Sequence, residues 1–322
     1  VKEFPMEGEP LFQVTVNGRK VGLYNDRSHW GGLVHFGSFE FANGKEITIR
    51  ITYAKPLESF EVLPGKKLDL LSVSRKGKRT VEIRTARADQ NITLLVNGEP
   101  RKDALHLFCN SVDAAAPKVP DSKGYHRYEQ EKLHYFGPGF YDLEKVLGGK
   151  DMLVLEDGWK VYVAGGAVLY GRIGLWGTHK GTKVCGRGMI YNDTHNPRVL
   201  FEANECEGAD VEGVLFHAHR PGVWQVVVNH CRNVEFKGVK ILSTRYASTD
   251  GLDIVNSQQC AFLNTFIRAN DDAIAIKGLD SRAPAECPPT LPSAACSCGT
   301  TATVPWASGQ RTTAAFTRTY VS

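Results

Sequence analysis

Along residues 1–112 apolar and polar positions alternate with a period of two, interrupted by turns. The runs LFQVTVNGRKVGLY, ITIRITY, FEVLP, TVEIRTA and ITLLVNG each place every second side chain on one face, the pattern of half-buried strands. Asn17-Gly18 is a strong two-residue hairpin signal and Asn97-Gly98 a possible second. No helical period appears, and a small β-sandwich is expected. A linker follows at 113–124, DAAAPKVPDSKG, rich in Ala, Pro and small polar residues.

From 125 to 280 the pattern changes to short β-branched runs that repeat. VLFEANECEGADVEGVLF, WQVVVNHCRNVEFKGVKI and LDIVNSQQCAFLNTFI align on Asn204, Asn229 and Asn256. In the same alignment Gly213 and Gly238 share a column with Thr265, and Cys206 shares one with Cys231. A repeat length in the twenties, with Asn and Gly at fixed offsets, indicates a solenoid. No helical segment fits between the strands, so a parallel β-helix is expected.

The tail, 281–322, is foreign to this pattern. It has no Lys, Asp, Asn, Ile or His, and eight each of Ala and Thr, so it reads as low-complexity or disordered. Codon degeneracy across TTATVPWASGQ (300–310) also permits a reading shifted by two bases, Asp-Gly-His-Gly-Ala-Leu-Gly-Ile-Gly-Ala. On that reading the tail is out of frame and the β-helix is truncated.

Composition narrows the function classes. The net charge of +4 comes without a dense Lys/Arg block, which disfavours nucleic acid. No apolar run reaches the length of a membrane span. The N-terminal VKEFPMEGEP is not a signal peptide, although a mature secreted chain would look the same. Cys109, Cys185, Cys206, Cys231 and Cys260 stand singly, without metal-ligand spacing, and read as small buried residues. No metal or other cofactor is expected, and YVAGGAVLYGRIG lacks the strand–GxGxxG–helix context of a nucleotide site.

Candidate chemistry lies in STDGLDIVNSQQCAFLNTFIRANDDAIAIKG, 248–278. Ionised carboxylates inside strand-like runs are costly unless paired. Aligning STDGLDI with NDDAIAI puts Asp272 over Asp250, one strand spacing of about 4.8 Å away, with Asp271 beside it. Such a cluster can hold a protonated acid next to an ionised base, as glycosidic cleavage requires. Turn residues or a cation site would also account for it. Thr249 adjoins this column and Lys277 follows it. The asparagine register places Val223 and Arg198 in the column of Asp250, and Trp224 beside Gly251. Lys277, Trp224, Arg198 and Thr249 are thus candidates to bind substrate. His217, His219 and Arg220 are read as solvated loop residues.

The stretch from Trp224 to Gly278 resembles glycoside hydrolase family 28, the polygalacturonases and their relatives. Thr249-Asp250-Gly251 matches the family's Asn-Thr-Asp-Gly, and Asp271-Asp272-Ala273-Ile274-Ala275-Ile276-Lys277 its Asp-Asp-Cys-Ile-Ala-Ile-Lys. The resemblance implies a right-handed, pectin-lyase-like parallel β-helix and hydrolysis with inversion. It makes Asp271 the general acid and has Asp250 and Asp272 activate the water. The N-terminal sandwich and KVYVAGGAVLYG also resemble family 49, the dextranases. Ser248, Asn270 and Ala273 depart from the family 28 pattern, and its later Gly-His-Gly and Arg-Ile-Lys are absent, which leaves the sugar open. A polysaccharide or oligosaccharide partner and a secreted or periplasmic location are expected, with no nucleic-acid or membrane partner. The alternatives are a non-catalytic β-helix for carbohydrate binding or adhesion, and a polysaccharide lyase.

Overall fold

The computed structural model describes residues 6–28, 31–98, 102–192, 199–219, 224–244, 249–278, 302–303 and 314–321. The chain is all-β, a set of sheets followed by a parallel solenoid of about five turns. It divides into two units, Glu3–Ala115 and Ala116–Ser322.

The first unit holds two five-stranded sheets. Alternation in Ile47–Tyr53 and Thr80–Thr85 sends Ile47, Ile49, Ile51, Val81 and Ile83 inward. They meet Ile92, Leu94, Val96, Leu105 and Leu107 of the second sheet in one core. Asn17-Gly18 forms the expected hairpin: both residues have positive φ, and Val16 pairs with Arg19 across the turn. Asn97-Gly98 also lies at positive φ, but it is not a two-residue hairpin apex. The next strand pairs back from Leu105 to Leu94, which leaves a longer loop between them. Asn97 Oδ1 instead accepts the amide of Glu58 at 2.8 Å. Leu33–Phe41 and Leu105–Ser111, which pair in parallel, have no counterpart among the alternating runs read from the sequence. Both bury consecutive residues, so the period-two signal is lost.

In the second unit, Tyr125–Tyr128 pairs antiparallel with Leu133–Phe136 at the start. The coils then run in parallel through three sheets. One contains Met152–Leu155, Arg172–Thr178, Phe201–Asn204 (the first part of the strand Phe201–Glu212), Val226–Asn229, Leu252–Val255 and Ile274–Lys277; this is the sheet that carries the candidate site. Every second side chain of its strands enters a continuous interior, for example Leu175, Ala203, Val228 and Ile254. Inside, Phe201 meets Phe236 edge to face at 5.6 Å, and Phe236 stacks on Phe262 at 5.1 Å between ring centres. Burying one such side chain contributes about 1.5–3 kcal/mol.

Each of three successive coils turns on three left-handed corners: Glu205, Gly208 and Gly213; His230, Asn233 and Gly238; Asn256, Gln259 and Asn264. The corners correct the sequence register. Asn204 and Asn229 are partners, with Asn229 Nδ2 donating to Asn204 Oδ1 at 2.7 Å. Asn229 is opposite Val255, not Asn256. Asn256 is a corner, and its side chain meets His230 Nε2 at 3.2 Å. Likewise Asn264, not Thr265, continues the column of Gly213 and Gly238, because that corner needs positive φ and Thr is β-branched.

Cys206 and Cys231 do neighbour each other, the Cys206 amide lying 3.4 Å from Cys231 Sγ. Cys109, Cys206, Cys231 and Cys260 are buried as expected, and Cys185 is half-buried. At the far end, Ala314–Val321 runs antiparallel along Cys260–Arg268, from Cys260↔Val321 to Ile267↔Ala314, unlike the parallel coils before it. Apart from 302–303 and 314–321, the expectations for the tail 281–322 lie outside the described residues.

Candidate active site

Backbone hydrogen bonds fix the aspartate column. Gln225 N donates to Asp250 O at 3.0 Å, and Gly251 N donates to Asp272 O at 2.9 Å. Asp250 therefore lies one coil from Asp272, as the pairing Leu252↔Ile274 requires. The coil before differs from the sequence register. Val226 pairs with Leu252, so Trp224, not Val223, is the residue beside Asp250. Arg198 lies outside the described residues, as do Val223 and Arg220.

Gly251 explains itself by packing. It is not among the residues with positive φ. A Cβ there would lie 2.4 Å from Ile267 Cγ2 and 2.7 Å from Ala273 O. Glycine is needed so that the coil carrying Asp250 can approach the coil carrying Asp272.

The two aspartate segments share an anchor that the sequence reading missed. Ser243, wholly buried, accepts the Asn270 amide on its hydroxyl at 3.1 Å. The same hydroxyl reaches Thr249 O at 3.3 Å and Arg268 O at 3.5 Å. Residues immediately before Asp250 and before Asp271 are thus tied to one side chain. Arg268, also buried, donates from Nη1 to Ser243 O. Thr249, read from the sequence as a substrate-binding candidate, is buried at 1% exposure next to Asp250.

Lys277 gathers the charges. Its Nζ lies 3.0 Å from Asp250 Oδ2 and in closer contact with Asp253 Oδ1, and it rests 3.4 Å from the centre of the Trp224 ring. Asp253, also missed by the sequence reading, is wholly buried. Burial pushes its carboxyl up to about 7; the Lys277 ammonium opposes this, and the charge of neighbouring Asp250 adds to it. Lys277 is itself held above the usual lysine range by its two carboxylate partners, against the effect of burial. Asp271 and Asp272 are half-buried. The structure thus brings Asp250, Asp272, Trp224 and Lys277 together, adds Asp253 to them, and sets Asp271 next in the chain. His217 and His219 are corrected. Both are buried, His217 inside the strand Leu215–Ala218, with Nδ1 3.0 Å from Leu242 O.

The known proteins that this chain resembles are glycoside hydrolases. Residues 143–286 match the model of the family described as Glycosyl hydrolases family 28. The matched stretch lies in the solenoid and makes up a little under half of the chain, and the likeness there is to glycoside hydrolases. Among solved structures it is similar to one assigned as a glycosyl hydrolase from Parabacteroides merdae, at 14% identity and a TM-score of 0.35, covering 45% of this chain and 73% of that one. It is also similar to the family 28 exopolygalacturonase of Yersinia enterocolitica, at 8% identity and a TM-score of 0.30, covering 73% of this chain and 64% of that one. The chain therefore spans less than two thirds of the exopolygalacturonase. No curated protein matches.

Proposed function

We propose that this chain cleaves a galacturonan-type or related glycan with inversion, Asp271 donating the proton to the leaving oxygen while Asp250 and Asp272 activate the attacking water. The observation that carries this reading is the pairing of Asp250 and Asp272 on neighbouring coils, with Asp271 next to Asp272. Backbone pairing sets two of the carboxylate-bearing residues on adjacent coils with the third next in the chain, which supports dividing acid and base roles among them. Lys277 and Trp224 position the column: the ammonium orients Asp250, and the indole backs the ammonium. The substrate is an extracellular polymer, which supports a secreted or periplasmic location. Among the described residues no helix is long and apolar enough to cross a membrane.

Inversion has its own test. Proton NMR of the first-formed reducing end, followed before mutarotation, should show the configuration opposite to that of the cleaved bond. Retention would overturn the inverting assignment and point to a nucleophilic carboxylate, which the close spacing of a carboxylate pair would itself suggest.

A further inference from the structure

The sheet that carries the aspartates presents a second feature four coils away. Trp176, in the strand Arg172–Thr178, is 40% exposed. Its neighbours on successive coils are Asn204, Asn229, Val255 and Lys277. All share the outer face, because Ile173 and Leu175 of the same strand enter the core. At one strand spacing per coil, Trp176 is roughly 19 Å from Lys277 along the solenoid.

The indole does not stand off the sheet. It folds back over Gly174, where a Cβ would meet its Cη2 and Cζ3 at 2.3 Å and Met152 Sδ at 2.8 Å. Glycine at 174 thus lets the ring lie against the backbone beside a thioether. Leaving a large aromatic so exposed forgoes about 1.5 kcal/mol or more of burial. Polar groups stand one coil nearer the aspartates: Glu202 opposite Gly174, and Asn204 opposite Trp176. A fixed apolar ring beside a carboxylate and an amide offers both kinds of contact that a pyranose presents, a C–H face and a rim of hydroxyls.

We propose that Trp176 is a remote subsite, a stacking platform for a sugar ring of the same glycan that is cleaved at the aspartate end. The proposal rests on the glycoside hydrolase reading and extends it along the sheet. The sugar at this position turns hydroxyls, not a carboxylate, toward Glu202.

The test is calorimetric binding of wild type, Trp176→Ala and Trp176→Phe to polygalacturonate and to dextran, each as polymer and as trisaccharide. Trp176→Ala should weaken binding of the polymer that wild type prefers by about threefold to tenfold, the worth of one aromatic contact. The trisaccharide, held at the aspartate end, should bind unchanged, and Trp176→Phe should recover most of the loss. Equal polymer binding by wild type and Trp176→Ala, or equal weakening of polymer and trisaccharide, would overturn the platform and leave the aspartate site standing. A wild type that binds neither polymer would overturn the glycan reading together with the platform.

Discussion

At the scale of single residues, Lys277 is the pivot of the site. Its ammonium serves two carboxylates of which one is wholly buried and the other nearly so. Removing one member of such a group leaves buried charge without compensation. Lys277→Met should therefore lower stability by about 3 kcal/mol, measured by urea unfolding at neutral pH. Asp253 gives the site a pH signature. Its carboxyl titrates near 7 in the folded chain and near 4 when unfolded. Between those values the folded state holds more protons than the unfolded state, so this group makes stability fall as pH rises from about 4 to about 7. Asp253→Asn should flatten that part of the stability profile; an unchanged slope would show that Asp253 does not carry the proton. Neither residue's partnership was visible in the sequence. Asp253 reads as one more outward position of a strand, and only the pairing of its coil with that of Lys277 reveals it as a buried acid.

At the scale of elements, the geometry depends on how closely two coils approach. Gly251→Ala should cost about 1–3 kcal/mol by overpacking against Ile267 and Ala273. It should also lower turnover, because Asp250 and Asp272 would be pushed apart. Full stability in a thermal melt would contradict the packing account. Ser243→Ala tests the shared anchor. Losing that hydroxyl leaves the Asn270 amide without this acceptor, at a cost of about 1–3 kcal/mol. The repeat itself was legible from the sequence, because an inward β-branched residue every second position and a polar corner every coil leave a strong period. The offset of Asp272 from Asp250 followed correctly from the local match of two motifs. The coil before was misregistered by one residue, because Asn229 and Asn256 look alike but occupy a strand end and a corner. An asparagine marks a tight turn without saying on which side of it the strand ends.

At the scale of the whole molecule, the parallel solenoid lines up outward positions of one sheet from coil to coil. The alternation of inward and outward side chains delivers Trp176, Asn204, Asn229 and Lys277 to the same side, and the coil spacing sets their separation. The sandwich was legible in Ile47–Tyr53 and Thr80–Thr85, whose burial alternates, and silent in Leu33–Phe41 and Leu105–Ser111, which bury consecutive residues. The central claim is that the aspartate column performs acid-assisted hydrolysis. Its most direct test is the steady-state turnover of Asp271→Asn on an unactivated oligogalacturonide. Asparagine preserves the shape and removes the transferable proton, so turnover should fall by about 10² or more. Turnover equal to wild type would contradict the account.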